Sequence, residues 1–396
     1  MSQEFGEPYR DPASGWDFWA YRPVPLPRSL ELTNETVLAL SAADAALGRL
    51  AGSGRQLRDP NIFVRPHLMR EALASTRIEG TMAELSDVFQ ADADADTPIT
   101  ADAQEVLNYM NAMEFGLNRA RSDELPLIGR VVCEIHGVLM RDVRGEERRP
   151  GEFRTGPVWI GSPTDAPETA VFVPPLPNEM LAAWRDWEDF ANTDVRMPTL
   201  VRCALLHYQF ETIHPFRDGN GRLGRLLISF YLSHSGVLPT PLLYLSAYLE
   251  RNRRQYYERL QAVRERGEIE QWLQFFLTAT AVQAEDAVKR AEQLHDLRER
   301  YRADLAGSRS RAAEVVDLLF ANPIVTVRRV QRALGITNQG ARNLIGQLER
   351  RGWLQRAGSL PLRGGPKVWI ASDVYATVAD VRAEDDERDE LELTVA

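Results

Sequence analysis

Twelve consecutive residues, His214 to Arg225, hold most of the residue types in this chain that could do chemistry together. They read HPFRDGNGRLGR, with one imidazole, one carboxylate, three glycines, one amide and three guanidinium groups. Gly219 and Gly221 flank Asn220 and can adopt positive φ without a Cβ clash, so successive N–H groups can turn inward around an anion. The apolar run RLLISFYL follows directly and predicts a helix whose N-terminus faces the same point. The segment is therefore suited to a polyphosphate.

The charged side chains of this segment extend the prediction. Arg222 and Arg225 are three residues apart and would share one face of that helix. Asp218 is an acid among cations, which is best explained by a Mg²⁺ ion held jointly with phosphate oxygens. His214 should end the preceding helix, because Pro215 disfavours helical geometry at the residue before it. A neutral imidazole at that position could take a proton from an incoming hydroxyl group.

Each of these features has an ordinary structural explanation when it is taken alone. A single histidine at a helix end, a Gly-Asn-Gly turn and a pair of helical arginines are usually structural or solvated. Their coincidence within twelve residues is what favours a functional site. Phe216, a large apolar side chain among polar neighbours, is expected to anchor the loop in the core.

A mostly helical body is predicted to position this segment. Helical periodicity begins near Thr33, and residues 1 to about 30, rich in proline and aromatic residues, are expected to form an extended arm over a core. The stretch GEFRTGPVWIGSPTDAPETAVFVPPLP interrupts the helices and indicates a hairpin with a loop. Further helices are predicted in RPHLMREALASTRIEGTMAELSDVF, AQEVLNYMNAMEFGLNRA, IGRVVCEIHGVLM, NEMLAAWRDWEDFAN, MPTLVRCALLHYQFETI, YLSAYLERNRRQYYERLQAVRERG and IEQWLQFFLTATAVQAEDAVKRAEQLHDLRERYRADL.

A separate module is predicted at residues 309–378. One helix, a helix-turn-helix and two strands around a Gly/Pro loop together indicate a winged helix. Between residues 309 and 375 it has 11 Lys/Arg against 4 Asp/Glu, a net charge of +7. The tail at 379–396 has 8 acids and 2 arginines, a net charge of −6, and is expected to be disordered.

Composition limits the protein classes that remain. The chain has 396 residues, which predicts two or three domains, and a net charge of −10, which argues against a protein that coats nucleic acid globally. Its two cysteines, Cys133 and Cys203, lie in apolar helix-like runs and indicate a reducing compartment. The N-terminus lacks the pattern of a signal peptide, and no uncharged apolar run approaches the roughly 18 residues of a membrane span. We therefore expect a soluble cytoplasmic protein without a membrane partner.

The twelve-residue segment resembles the signature of the Fic (filamentation induced by cAMP) family, H-P-F-x-[DE]-G-N-G-R-x-x-R, and matches it completely. The flanking LLHYQFETI and LLISFYL are also similar to this family, and the resemblance runs from about residue 60 to about 290. It implies a mainly α fold: a Fic-type helical bundle with a small β-hairpin flap, followed here by the C-terminal winged helix-turn-helix domain. We divide the chain into an N-terminal arm and helix (1–60), an N-terminal helical region with an inhibitory helix (61–125), a Fic catalytic core (126–305), the winged-helix domain (309–378) and the acidic tail (379–396).

The resemblance implies an enzyme that uses ATP and Mg²⁺ to transfer AMP to a protein hydroxyl. In that interpretation His214 is the general base, which deprotonates a Ser, Thr or Tyr side chain, and Asp218 positions Mg²⁺. Pyrophosphate leaves after attack at the α-phosphorus, which asks mainly for positioning and charge stabilisation. The residues implied to bind ATP are Gly219, Asn220, Gly221, Arg222, Leu223, Gly224, Arg225, Asn252, Tyr256 and Tyr257. The tyrosines would contact adenine, although aromatic residues at helical spacing more often belong to a core.

A second motif lies upstream, in Ser75-Thr76-Arg77-Ile78-Glu79-Gly80. It resembles the family's inhibitory helix motif, [ST]-x-x-x-E-[GN], and implies that Glu79 reaches Arg225. A bidentate carboxylate–arginine pair would remove the cation that should hold the ATP γ-phosphate. Two alternatives stay open. Glu79 could be a solvated helix residue, or it could position water and remove AMP from the modified target, as it does in some Fic enzymes.

Two further surfaces are assigned by resemblance and by residue type. RTGPVWIG is similar to the family's flap, whose open strand edge could pair with an extended target segment; a plain surface hairpin is the alternative. The recognition helix and wing of the C-terminal module carry residues able to reach DNA phosphates and bases, although winged helices also serve in dimerisation and protein docking. The flap residues are Thr155, Val158, Trp159, Ile160 and Gly161, and the candidate DNA contacts are Thr337, Asn338, Gln339, Arg342, Asn343, Arg363 and Lys367.

The function expected from all of this is self-inhibited protein AMP transfer, with self-modification as the first signal and a homodimer left open. The alternatives are a DNA-binding regulator in which the Fic domain senses nucleotide, or the same fold with a different reaction. The complete motif favours the enzyme, because a sensor has no need for His214. Gly219, Asn220, Gly221 and Arg222 together fit an ordinary ATP orientation and disfavour transfer of a phosphate group.

Overall fold

The computed structural model describes residues 5–11, 14–56, 61–93, 99–123, 126–143, 149–161, 164–238, 240–307, 310–359 and 367–379. Its strands are β1 (Gly6–Asp11), β2 (Trp16–Pro23), β3 (Ile324–Thr326), β4 (Gln355–Ser359) and β5 (Lys367–Ile370). Its helices are α1 (Asn34–Gln56), α2 (Asn61–Ile78), α3 (Leu85–Ala93), α4 (Ala101–Asp123), α5 (Gly129–Leu139), α6 (Pro177–Asn192), α7 (Thr199–Ile213), α8 (Asn220–His234), α9 (Ser246–Arg251), α10 (Arg253–Arg266), α11 (Ile269–Asp304), α12 (Ala312–Ala321), α13 (Val327–Leu334), α14 (Asn338–Arg350) and α15 (Ser372–Ala379). The predicted mainly helical fold with a C-terminal winged helix is confirmed.

Helix α7 lies at the centre of the helical body. All of its 15 residues except Thr199 and Arg202 are buried. A helix that is buried on every side must be surrounded by other elements, and α6, α8 and α11 pack around this one. The loop that carries the predicted chemistry joins α7 to α8, so both of its ends are fixed in the core.

The predicted helix that would run through Glu79 toward residue 89 is interrupted, and this part of the prediction was wrong. Helix α2 ends at Ile78, and α3 begins only at Leu85. Gly80 has a φ of 94° and donates its N–H to the carbonyl of Arg77, while Thr81 N–H bonds back to the carbonyl of Thr76. Such a left-handed glycine ends a helix with its last carbonyls satisfied. Glu79 therefore follows helix α2 instead of lying inside it.

The N-terminal arm is more ordered than its composition indicates. Strands β1 and β2 pair in antiparallel orientation as an N-terminal hairpin, with Glu7 opposite Arg22 and Pro8 opposite Tyr21. The chain then continues without regular structure to α1, which lies along the 36-residue helix α11. The predicted cover over the core is present, but a β-hairpin makes up its first part.

The C-terminal module contains the predicted helices and a three-stranded antiparallel sheet of order β3-β5-β4. Thr326 caps α13 and Thr337 caps α14, each accepting from the N–H three residues later at 3.1 Å. Helix α15 was not predicted. Arg363 and residues 380–396 of the acidic tail lie outside the described residues.

The module is docked on the helical body through Asp92 of α3. The Asp92 carboxylate pairs with Arg65 of α2 and accepts from Asn322 Nδ2 at 2.8 Å. The backbone carbonyl of Asp92 accepts from Arg329 at 3.2 Å. Helix α2 is thereby tied at its start to the winged helix. A search of the described ranges finds no helix long and apolar enough to cross a membrane.

Candidate active site

His214 stands at the C-terminal end of α7 in a left-handed backbone conformation, with φ 49° and ψ 62°. The neighbouring carbonyls are bound by Arg154, which donates from Nε to the carbonyl of His214 at 2.8 Å and from Nη2 to that of Ile213 at 3.2 Å. A cation suits the negative end of the helix dipole. Arg154 also donates to the carbonyls of Gly156 and Pro175, so it joins the catalytic end of α7 to both sides of the flap.

The His214 imidazole is held in its neutral form. Burial, followed by the guanidinium groups of Arg154 and Arg264, lowers the pKa of His214 to about 3. Its Nδ1 is buried without a hydrogen-bond partner. A neutral imidazole can accept a proton, which is the property that a general base requires.

The loop between His214 and α8 is closed by Asn220. Asn220 Oδ1 accepts from Phe216 N–H at 2.9 Å, and Asn220 Nδ2 donates to the Phe216 carbonyl at 2.8 Å. Both polar atoms of this side chain are therefore used inside the loop. The Asn220 side chain therefore shapes the loop, and its implied role in holding phosphates stays a prediction.

His136 of α5 packs against this loop and bonds to it. Its ring stacks on Phe216 at a centroid distance of 3.9 Å, so Phe216 does anchor the loop as expected. His136 Nδ1 accepts from Gly151 N–H at 2.8 Å, which leaves Nε2 protonated to donate to the Asp218 carbonyl at 3.0 Å. Gly219 follows with a φ of 74°, where a Cβ would lie 2.6 Å from the sulfur of Met140.

The N-terminus of α8 then points its first N–H groups, those of Asn220, Gly221 and Arg222, out of the helix without intrahelical acceptors. An anion is in place there already. The Glu79 carboxylate lies so close to Gly221 that a Cβ on this glycine would be 2.3 Å from Glu79 Oε1. A carboxylate therefore lies beside Gly221, at the start of α8, where the sequence predicts an anion.

Arg225 binds that carboxylate. Its Nη2 lies 2.7 Å from Glu79 Oε1 and 2.8 Å from the carbonyl of Ser75, and its Nε donates to Ser75 Oγ at 2.9 Å. Burial opposes ionisation of Glu79, but the Arg225 guanidinium outweighs burial and holds the pKa of that carboxyl below its usual range. The contact expected between Glu79 and Arg225 is present, but it is a single Nη2–Oε1 contact and not the bidentate pair predicted, because Ser75 takes Nε and shares Nη2.

Arg222 has a different partner, which the sequence did not reveal. Its Nη1 lies 3.2 Å from Glu105 Oε2 of α4, and both side chains are buried. Asp218, one turn earlier, is a third exposed, and its Oδ1 accepts from Gly219 N–H at 2.6 Å. No group of three or more His, Cys, Asp or Glu side chains in the described part of the chain could hold a metal. One partly exposed carboxylate beside an anion site fits a Mg²⁺ ion that takes its other ligands from phosphates and water.

Two of the predicted ATP-binding residues, Tyr256 and Leu223, lie in the core. Tyr256 is 1% exposed and bonds through its hydroxyl to His207 Nε2 at 2.8 Å, so it belongs to the core and does not reach a nucleotide. Leu223 is fully buried on the inner face of α8. Tyr257 is 40% exposed and remains available, while Asn252, at the junction of α9 and α10, donates to the carbonyl of Tyr248.

A buried carboxyl group also lies against α8, one turn further along the helix than Glu79. Glu211 of α7 contacts Gly224 so closely that a Cβ there would be 2.4 Å from Glu211 Oε1, and this oxygen has no hydrogen-bond partner. Burial raises the pKa of Glu211 to about 7, although Arg225 and Arg264 act in the opposite direction. Burial therefore favours the neutral form of this side chain.

The flap is a minimal hairpin. Ile160 and Phe172 form its one described bridge pair, with N–H···O distances of 2.8 and 3.2 Å. Trp159 Nε1 donates to the Asp165 carbonyl at 2.8 Å. Thr155, Trp159 and Gly161 are exposed, and Val158 and Ile160 are half-buried.

The candidate DNA contacts share one exposed face of α14. Asn338 Oδ1 accepts from Arg342 Nε at 2.9 Å, and Asn343 Oδ1 accepts from Gln339 Nε2 at 2.9 Å. Thr337 is exposed at the start of this helix, although its hydroxyl is engaged as the cap. Lys367 is exposed at the start of β5.

Three residues that organise the site were missed from the sequence: Arg154, His136 and Glu105. Their partners lie 60, 82 and 117 residues away in the chain. Only for Arg154 was there a local signal, since it stands in the segment RTGPVWIG beside the flap residues. Pairing across such distances depends on the tertiary fold.

Comparison with known proteins gives three family matches. A model described as the Fic/DOC family matches residues 126–232, and one described as the Fic/DOC family N-terminal region matches residues 37–118. A model described as an HTH DNA binding domain matches residues 313–356. The three matches follow one another along the chain in the order of the predicted helical region, core and winged helix.

Two curated relatives are named Protein adenylyltransferase Fic. The protein from Drosophila willistoni is 26% identical over 254 residues, which are 63% of this chain and 47% of the relative. The protein from Drosophila grimshawi is 28% identical over 211 residues, 52% of this chain and 40% of the relative. The chain thus spans less than half the length of these curated relatives.

Solved structures extend the likeness to the fold. A Fic family protein from Desulfovibrio desulfuricans G20 superposes with a TM-score of 0.56 at 20% identity, covering 86% of this chain and 97% of that one. Fic-1 from C. elegans superposes with a TM-score of 0.50 at 20% identity, covering 65% and 72%. The family models thus find a Fic/DOC N-terminal region, a Fic/DOC domain and a helix-turn-helix DNA binding domain one after another in this chain, and the solved structures agree in fold.

Proposed function

We propose that this protein transfers AMP from ATP to a hydroxyl group of a protein and that Glu79 restrains the reaction. The observation that carries the proposal is the Glu79 carboxylate at the N-terminus of α8, against Gly221 and 2.7 Å from Arg225. A carboxylate in that position marks a site built for anionic oxygen. A triphosphate presents the same chemistry with more charge.

In the proposed reaction the imidazole of His214 removes the proton from a Ser, Thr or Tyr hydroxyl of the target. The resulting oxygen attacks the α-phosphorus of ATP, the bond from that phosphorus to the β-bridging oxygen breaks, and pyrophosphate leaves. The N–H groups at the start of α8 and the guanidinium of Arg225 bind the phosphates. Mg²⁺, held by Asp218, would supply charge neutralisation on the leaving phosphates.

Restraint follows from the partner of Arg225. While Glu79 and Ser75 occupy this guanidinium, it is not available to the γ-phosphate, and the triphosphate cannot take the position that aligns the α-phosphorus. Glu79 is also the more accessible member of the pair, with 36% of its side chain exposed against 1% for Arg225. Its displacement would open the site without disturbing the buried arginine.

The test measures label transfer from α-labelled ATP in wild type, Glu79→Gly and the double variant Glu79→Gly with His214→Ala. We expect the single variant to label itself and proteins of a cell extract at least tenfold more than wild type, and the double variant to be inactive. Glu84→Gly is the matched control, because Glu84 lies in the same segment, is 73% exposed, and its carboxylate lies 3.5 Å from the nearby Arg77.

Three outcomes would contradict the proposal or change it. Equal weak labelling in all variants would refute AMP transfer. Label retained from γ-labelled ATP would indicate phosphate transfer instead. If protein labelled in advance lost AMP faster with Glu79 present than with Glu79→Gln, the role of Glu79 would be hydrolytic.

A second function, DNA binding, is favoured by the exposed polar face of α14 within the segment matched by the HTH DNA binding domain model. Fluorescence anisotropy with a labelled duplex over a salt series tests it. Arg342→Gln should weaken binding and lower the salt slope by about 1 if Arg342 contacts a phosphate. Arg254→Gln is the control, since Arg254 makes a similar exposed contact with Glu258 on α10. Equal binding by both variants would exclude α14 as the DNA-contacting surface.

A further inference from the structure

The flap is too small to hold its own shape. Its described ladder consists of the single pair Ile160 and Phe172. A two-stranded hairpin is marginally stable in water even with several pairs, and it needs a further strand or a packed face to become rigid. The rear of the flap, residues 170–176, has both.

The further strand is β2 of the N-terminal hairpin. Tyr21 N–H donates to the Val173 carbonyl at 2.9 Å, on the residue after Phe172. On the other strand of the same hairpin, the Tyr9 hydroxyl accepts from Leu176 N–H at 2.8 Å. The rear of the flap is thus bonded to β2 and to Tyr9 of β1. Residues 155–161 form the other edge of the flap.

The packed face is a small core of its own. Tyr9, Phe18 and Ala20 of the hairpin pack against Val173 and Leu176, with Ala170 at the margin, and this cluster is separate from the main core. Its members come only from the N-terminal hairpin and the rear of the flap. The hairpin lies outside the Fic/DOC N-terminal match, which begins at residue 37.

Phe172 is held from a second direction by Arg264 of α10. The guanidinium carbon of Arg264 lies 3.9 Å from the centre of the Phe172 ring, which is the distance of a close cation–π contact. Arg264 Nε donates to Thr212 Oγ1 at 3.1 Å, two residues before His214. The Tyr21 ring packs near Phe172 at a centroid distance of 5.7 Å. Phe172 is therefore fixed between the hairpin and the helix end that carries the imidazole.

We propose that the N-terminal hairpin and Arg264 form a brace that holds the flap edge, residues 155–161, in a fixed position relative to His214. An extended hydroxyl-bearing segment of a target protein can then pair with this edge. This role rests on the proposed AMP transfer. A strand that adds to an edge gains affinity from backbone hydrogen bonds, and it loses that gain when the edge must first be ordered. The brace supplies the order in advance. Tyr21, Tyr9 and Arg264 act as positioning residues and touch neither ATP nor the reacting atoms.

The first measurement is independent of activity. Hydrogen exchange of the Ile160 and Phe172 amides is compared in the full chain, in Tyr21→Leu and in Arg264→Gln. We expect exchange to be about tenfold faster in both variants. Trp16→Leu is the control, because Trp16 lies on the same strand β2 at the tip of the hairpin, 39% exposed and opposite Asp11. Unchanged exchange in Tyr21→Leu and Arg264→Gln would overturn the brace.

The second measurement separates positioning from general damage. In a Glu79→Gly background the acceptor is a copy of this chain carrying His214→Ala, and KM is measured for the acceptor and for ATP. We expect Tyr21→Leu to raise the acceptor KM several-fold and to leave the ATP KM within about twofold. Faster exchange with an unchanged acceptor KM would overturn the docking role, and an equal rise in both KM values would show a merely structural one. If the Glu79→Gly parent transfers no AMP at all, the proposed function fails, while the exchange result still decides whether the brace exists.

Discussion

Arg222 and Arg225 lie three residues apart on α8, and each pairs with a glutamate, yet the two pairs are enclosed very differently. Arg222 and Glu105 are 6% and 5% exposed, at 3.2 Å. Arg225 is 1% exposed, but its partner Glu79 is 36% exposed, at 2.7 Å. The shorter contact is therefore the more accessible one. Distance alone does not show which of two ion pairs is permanent.

The difference lies in what holds each glutamate. Glu105 belongs to the second turn of α4, and its Oε2 also accepts from Thr81 Oγ1 at 2.8 Å. Glu79 follows the last residue of α2 and precedes Gly80, whose backbone is left-handed. Removing one partner from a buried pair leaves an uncompensated charge, whereas water or phosphate can replace a half-exposed carboxylate. The pair of Arg222 and Glu105 is therefore a permanent part of the fold, whereas a ligand can replace Glu79 in its pair with Arg225.

The largest effect is expected from Glu105→Ala, which breaks the enclosed pair. Arg222 would stay buried, with Asp218 at 3.7 Å as its remaining carboxylate. We expect a loss of about 3 kcal/mol in the free energy of unfolding, measured by urea denaturation. A loss under about 1 kcal/mol would show that the two pairs do not differ as described.

Glu211→Gln sharpens the comparison with a third carboxyl group near Arg225, one that forms no ion pair. Because burial raises its pKa from 4.5 to about 7, the folded protein binds more protons than the unfolded chain between those values. The stabilising contribution of the protonated form is present below pH 4.5 and is lost as pH rises through 7. Glutamine stays neutral, so it should raise the free energy of unfolding by about 2 kcal/mol at pH 8 and leave it unchanged near pH 4.

Thermal unfolding of wild type and Glu211→Gln across that pH range measures this difference. Arg225, Arg264 and Glu79 are the charged groups that face Glu211. A Glu211→Gln effect that is the same at pH 4 and pH 8 would contradict the assignment of a shifted pKa to this residue.

Glu79→Gln breaks the exchangeable pair while keeping its shape. We expect ATP affinity, measured by calorimetry in the presence of Mg²⁺, to rise about tenfold, since Arg225 becomes available to phosphate. Stability should fall less than in Glu105→Ala, because glutamine keeps a neutral acceptor oxygen beside Arg225 and both contacts of Arg225 with Ser75 remain. A stability loss as large as that of Glu105→Ala would remove the distinction between the two pairs.

The smallest effect is expected from Ser75→Ala. This change removes the hydroxyl that accepts from Arg225 Nε at 2.9 Å and keeps the backbone carbonyl that binds Nη2. AMP transfer should rise only a few-fold, in proportion to one lost hydrogen bond of about 1 kcal/mol. Transfer as fast as in Glu79→Gly would mean that Ser75, not the carboxylate, supplies most of the restraint.

The sequence predicted the loop between α7 and α8 well because its determinants are local. Pro215 ends α7, Gly219 permits the turn, and the apolar run after it forms α8. The contact of Glu79 with Arg225 was predicted through the second motif, although the end of α2 at Ile78 was not. Gly80 ends α2. Because the helical pattern continues on both sides of this glycine, the sequence did not reveal the break.

Other features could not be predicted, because they depend on which side of a helix meets the core. Tyr256 and Tyr257 are adjacent in sequence, yet one is buried and the other 40% exposed. Arg154 and Glu105 are ordinary charged residues until the fold brings them to carbonyls and to Arg222. The N-terminal hairpin was concealed by its prolines and aromatic residues, which are equally typical of an extended arm.

The left-handed backbone of His214 bears on the choice of an inactive enzyme for all of these experiments. Alanine disfavours a φ near 49°, so His214→Ala can relax the chain and displace the turn that follows it. Asparagine tolerates this conformation and has no imidazole. His214→Asn is therefore the better inactive variant, because it removes the imidazole and keeps the backbone conformation around residue 214.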